Sequence, residues 1–140
     1  MRILGIDLGS RTVGMAVSDF LGIIASPIGT TRIEENNLQE ALECVKLVVR
    51  ERGIEKIVLG LPKNMDGSQG FQSDYCKTFK KMLEDELKIE VIMQDERLTT
   101  KMAHSAMIEA DMSRHKRKQN VDKIAACIIL QSYLDSLKRY

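Results

Sequence analysis

The chain opens on two short apolar runs separated by a polar turn. Ile3-Leu4-Gly5-Ile6 leads to Asp7, the turn Leu8-Gly9-Ser10-Arg11-Thr12 follows, and Val13 to Val17 is apolar again. Two such runs joined by a Gly-containing turn predict a β-hairpin. Because its apolar residues are consecutive rather than alternating, the first strand is expected to be buried on both faces and central in its sheet. A third β-rich run, Gly22 to Thr31, contains Pro27, which marks a bend or an edge position. The period then changes. Leu38, Ala41, Leu42, Val45, Val48 and Val49 recur at helical spacing, with Asn37 and Glu40 as a capping pair and Gly53 as the stop.

Ile57-Val58-Leu59-Gly60 reads as a short buried strand that ends in the loop Leu61 to Ser68. The next helix places Phe71, Tyr75, Phe79, Met82 and Leu83 on one face, an anchor for the core rather than a binding surface. Ile89 to Met93 reads as a strand ending in Gln94-Asp95-Glu96-Arg97. Thr99-Thr100 can cap a further helix carrying Met102, Ala103, Ala106, Met107 and Ala110. Ser113 to Lys118 is the densest basic run, expected as a solvated loop. A last helix is expected from about Asn120 to Leu137, with Val121, Ile124, Ala125, Ile128, Ile129 and Leu134 inward. The order βββαβαβαα predicts a single α/β domain over residues 1–140. Its mixed five-stranded sheet is flanked by helices, with hairpin-linked strands first and parallel crossovers after.

Composition narrows the picture only modestly. With 140 residues, 44% apolar and 29% charged, the chain is an ordinary globular domain. A net charge of +1 excludes a chain basic throughout, but for nucleic-acid binding the distribution of charge matters more than its sum. Only 4% of residues are aromatic, which argues against gripping single strands by base stacking. Cys44, Cys76 and Cys127 form no CxxC pattern, so neither a zinc site nor a disulfide framework is expected. A reducing, cytoplasmic setting fits best, since the start lacks a signal-peptide pattern and no apolar run approaches a membrane span.

Chemistry is expected at the carboxyl ends of the parallel strands, where ligands of open α/β sheets collect. Asp7 ends the first strand, Asp95 and Glu96 end the last, and Asp122 falls in the expected first turn of the final helix. Carboxylates that converge from distant parts of a chain suit magnesium or manganese, which prefer hard oxygen donors. Each acid also has an ordinary explanation. Asp7 can accept hydrogen bonds from its own turn, Asp122 can complement a helix dipole, and Asp95 and Glu96 can be solvated beside Arg97. Their joint arrangement favours the metal. Gly9 and Gly14 remove side chains where a ligand could approach the backbone.

Candidate phosphate contacts are Arg11, Lys63, Arg97, Lys101 and the basic run Arg114, Lys116, Arg117 and Lys118. Ser10, Asn64, Ser68, Thr99 and Thr100 could add neutral hydrogen bonds. His104 and His115 read as surface residues, His115 with a candidate phosphate contact. No Ser-His-Asp or Cys-His constellation, Walker loop or GxGxxG is readable.

Four segments, GIDLGSRTVGMAVSD, GLPKNMDGSQG, DERLTT and VDKIAACIILQSYLD, together resemble the YqgF/RuvX family of Holliday junction resolvases and pre-16S rRNA processing nucleases. They span nearly the whole chain in the family's order and spacing. The resemblance implies an RNase H-like fold, shared with the resolvase RuvC, and phosphodiester hydrolysis by carboxylates that hold divalent metal. Carried over residue by residue, the family's acids fall on Asp7, on Glu96 with Asp95 beside it, and on Asp122. The related resolvase takes its second acid from an earlier strand end. Here that strand ends in Gly60-Leu61-Pro62, so the DERLTT acid must substitute, and Glu96 is favoured. The implied partner is structured RNA or branched DNA, with no membrane partner, and the chain would act as a monomer or homodimer. Two rivals stand beside this reading. An ATP-handling protein of the actin and sugar-kinase type shares a similar first hairpin but needs two such domains. A non-catalytic nucleic-acid-binding or assembly factor would keep the acids for structure.

Overall fold

The computed structural model describes residues 1–61, 71–95 and 114–137, with side chains described at 1–61, 72–95 and 124–137. Five strands form one sheet in the order β3-β2-β1-β4-β5. They are β1 (Ile3–Leu8), β2 (Thr12–Ser18), β3 (Ala25–Arg32), β4 (Lys56–Leu61) and β5 (Glu90–Asp95). β1 pairs antiparallel with β2 and parallel with β4, and β4 pairs parallel with β5, so the expected mixed sheet forms with β1 at its centre. β3 is an edge strand. Its ladder to β2 passes from Gly29 to Pro27 against Met15 and Ala16, so the proline lies beside a register shift, where its missing N–H costs least.

Helices α1 (Leu38–Arg52) and α2 (Phe71–Leu87) cover one face. α1 begins as expected: the Asn37 side chain accepts a 3.1 Å hydrogen bond from the Glu40 N–H. It ends at Gly53, whose left-handed conformation lets its N–H reach the Val49 carbonyl. Ala41, Leu42 and Val45 of α1 and Tyr75, Cys76, Phe79 and Leu83 of α2 are buried against Leu4, Ile6, Leu8, Ile57 and Leu59. Phe79 is completely buried. Cys44 and Cys127 are half-buried thiols and Cys76 is a buried one.

Helix α3 (Arg114–Ser136) lies on the other face. Ala126, Ile129, Leu130, Tyr133 and Leu134 pack there on Ile3, Ala16 and Val58. Ala126, Leu130 and Tyr133 extend the inward stripe read from the sequence. The approach is close at Gly5, where a Cβ would lie 2.6 Å from Leu130 Cβ and 3.1 Å from the Ala126 carbonyl oxygen. Gln131 fastens the helix to the β2–β3 connection, accepting from Ala25 N–H and donating to the Ile23 carbonyl, each at 2.9 Å.

The start of α3 differs from expectation. The basic run Arg114 to Lys118, read as a loop, is helical. Charge suggested solvation, but Arg, Lys and Gln are good helix formers and no Gly or Pro follows residue 70. Asp122 therefore lies in the third turn, where the reading as a partner for the helix dipole fails. The helix expected after Thr99-Thr100 falls outside the described residues. Among the described residues, no helix is long and apolar enough to cross a membrane.

Candidate active site

Strand parity decides which face each acid serves. Leu4, Ile6 and Leu8 point into the α1/α2 core, whereas Ile3 packs with α3 and Gly5 meets Leu130. Alternation therefore puts Asp7 on the α3 face. It is half-buried at the carboxyl end of the central strand, opposite Gly14 of β2. The glycine leaves the neighbouring position without a side chain.

α3 runs antiparallel to β1. Tyr133 reaches Lys56, which pairs with Ile3 at the amino end of the strand, whereas Ala126 and Leu130 lie over Gly5. Residue 122 is one turn before Ala126 on the same helical stripe. The backbone of Asp122 therefore lies beyond Gly5 toward the carboxyl end of β1, on the face of the sheet that Asp7 serves.

Asp95 is placed differently. Its register partner is Leu61, one step beyond Gly60, which pairs with Gln94. Val91 and Met93 pack into the α1/α2 core, so parity sends Asp95 to that same face, away from Asp7. β5 continues through Asp95, past the Met93 end read from the sequence.

Among the described residues, no group of three His, Cys, Asp or Glu side chains converges. Glu96, Lys63, Asn64, Arg97, Thr99 and Lys101 lie outside the described residues, as do the side chains of Asp122, Arg114, Lys116, Arg117 and Lys118. Arg11 is described. It pairs with Glu35 at 3.3 Å, both side chains more than half exposed (63% and 60%), and so weakly held that it can exchange its partner.

Two residues of the site were not legible in the sequence. From the first turns of α2, Gln72 Nε2 donates to the Leu8 carbonyl at 3.3 Å and the Tyr75 hydroxyl donates to the Gly9 carbonyl at 3.4 Å. Both hold the turn that follows Asp7. Burial, with the neighbouring Cys76, pushes the Tyr75 hydroxyl above its ordinary pKa and keeps it a donor.

A central strand with an acid near its carboxyl end, flanked by an antiparallel hairpin and parallel crossovers and backed by a long helix, is an RNase H-like fold. Solved structures agree on the fold. A Fowlpox virus resolvase, crystallised with Holliday junction DNA, aligns with a TM-score of 0.63 at 17% identity, over 99% of this chain and 100% of that one. Thermus thermophilus RuvC aligns with a TM-score of 0.59 at 12% identity, over 97% and 95%. The chain belongs to the RuvX family, described as Holliday junction resolvase, whose model matches residues 1–136. A Clostridium tetani protein named "Putative pre-16S rRNA nuclease" is 53% identical over 137 residues, 98% of each chain. A Listeria monocytogenes serotype 4b protein of the same name is 48% identical over 136 residues, covering 97% of this chain and 99% of that one. The family is one of nucleases, hydrolases acting on phosphodiester bonds. That membership removes the sugar-kinase reading.

Proposed function

We propose that this nuclease is a divalent-metal-dependent endonuclease acting on structured nucleic acid, in pre-16S rRNA 5′-end processing, Holliday junction resolution or both. It works as one domain over residues 1–140, in the cytoplasm, as a monomer or homodimer. The observation that carries the reading is the half-buried carboxylate of Asp7 at the carboxyl end of β1, under the helix that bears Asp122.

The donor set fits magnesium or manganese, being carboxylate oxygen throughout. Asp7, Glu96 and Asp122 would hold the ion, and the parity that turns Asp95 away from Asp7 favours Glu96 over its neighbour. Bound there, the metal would lower the pKa of an attacking water and offset charge on the leaving oxygen. The rest is supplied by positive and neutral side chains. Arg11, Lys63, Arg97, Lys101 and the helical run Arg114, Lys116, Arg117 and Lys118 would hold backbone phosphates, with Asn64 and Thr99 adding hydrogen bonds. Such contacts carry no sequence information, so selectivity rests on shape.

The test is cleavage of a four-way DNA junction and of a precursor 16S rRNA 5′ end, side by side, with Mg²⁺ or Mn²⁺. Asp7→Asn should lower the rate by more than about 100-fold, beyond the effect of outer-shell substitutions, and chelator should abolish it. Binding of both substrates with cleavage of neither would replace the enzyme reading with that of a non-catalytic assembly factor.

A further inference from the structure

The turn after Asp7 is held at every carbonyl. Leu8 and Gly9 carbonyls accept from Gln72 Nε2 and the Tyr75 hydroxyl of α2. The Ser10 carbonyl accepts from Asn36 N–H at 2.7 Å and the Arg11 carbonyl from Ile33 N–H at 2.9 Å. Thr12 accepts from Gly9 N–H at 2.8 Å within the turn. Asn36 adopts a left-handed conformation (φ 57°) where it makes its bond, a geometry that Asn tolerates better than most residues. Of these bonds three are backbone to backbone, one within the turn and two from the segment that follows β3. The two made by side chains come from α2, and they grip the residues nearest Asp7.

Those two are long for hydrogen bonds, so each adds little to folding stability. Their effect is positional. α2 lies on the face of the sheet opposite Asp7, and these two contacts are to the backbone from which Asp7 projects. We propose that Gln72 and Tyr75 are positioning residues: from the far face they lock the β1–β2 turn, and so set the aim of the Asp7 carboxylate. The inference rests on the nuclease reading only in taking Asp7 as a metal ligand.

Tyr75→Phe and Gln72→Met each remove one donor at nearly constant volume. In the metal-free full chain, amide exchange at Gly9, Ile33 and Asn36 should accelerate, while exchange inside β1 and β4 stays unchanged. Mn²⁺ binding should weaken about tenfold and kcat fall about tenfold, with KM for the nucleic acid and the urea midpoint near wild type. Unchanged turn amides and Mn²⁺ affinity would overturn the proposal. So would a fall in kcat matched by a fall in the urea midpoint. Wild-type protein that neither binds Mn²⁺ nor cleaves would overturn the nuclease reading instead. Exchange at the turn amides would then decide the lock alone, acceleration sustaining it and wild-type rates overturning it.

Discussion

The two faces of the sheet are built from different materials. Against α1 and α2 the strands present Leu4, Ile6, Ile57 and Leu59, and the helices answer with Val45, Phe79 and Leu83, all buried completely or nearly so. Against α3 the strands present Ile3, Gly5, Ala16 and Val58, and the helix answers with Ala126 and Leu130 over Gly5 and with Ile129, Tyr133 and Leu134 around them. The first interface is thick and apolar. The second is thin at its centre and fastened at its edges by polar ties, Gln131 to the β2–β3 connection and Tyr133 to Lys56. Large buried side chains stabilise in proportion to the apolar area they remove from water. Small ones let backbones approach. Both faces hold the fold together, and the α3 face, close-packed at Gly5, also sets the distance between the helix bearing Asp122 and the strand bearing Asp7.

Two substitutions should break this division in opposite directions. Phe79→Ala removes the largest fully buried side chain of the thick face and should cost about 3–5 kcal/mol, read as a lowered urea midpoint. Specific activity at a temperature where the variant stays folded should be near wild type. Gly5→Ala should cost less stability, about 1–3 kcal/mol of overpacking. Its new Cβ would meet Leu130 Cβ and the Ala126 carbonyl, neither of them the yielding end of a flexible side chain, so α3 must move. Activity should fall further than in Phe79→Ala, although stability falls less. If the two losses instead rank in the same order, the faces share one role and the division is wrong.

Much of the thick face was legible in the sequence, because periodicity reports burial directly. The stripe Ala41, Leu42 and Val45, the Asn37 cap and the Gly53 stop all lie within one helix and need no knowledge of neighbours. Asp7 was legible for a related reason, as an acid closing an unbroken apolar run. The thin face was legible only in part. Gly5 looked like any glycine in a strand, since its role depends on Leu130, distant along the chain. The helical state of Arg114 to Lys118 was masked by its charge. Gln72 and Tyr75 carry no signal at all, because their targets are backbone carbonyls of another element. The direction of Asp95 follows from the packing of Val91 and Met93 into the α1/α2 core, which the sequence does not show.

The smallest expected effect sharpens the role of the polar ties. Asp19 Oδ1 accepts from Ile23 N–H at 2.7 Å and from Ile24 N–H at 3.3 Å, shaping the turn from which Ile23 and Ala25 meet Gln131. Those N–H groups, that of Ile23 foremost, hold its carboxyl below the ordinary aspartate value of 3.8. A carboxylate with a depressed folded-state pKa adds stability above its unfolded value and loses it as pH falls through the folded one. Wild-type stability should therefore drop, as pH falls below 3.8, by slightly more than that of Asp19→Asn, which has no proton to gain. Because the turn is also tied to Gln131, its loosening should reach α3 but leave the α1/α2 face untouched. Amide exchange at low pH would show this as faster exchange at Ile23, Ile24 and Ala25, with Val45 and Phe79 unchanged. Equal acceleration on both faces would mean that the thin interface has no independence, and that acid simply weakens the whole fold.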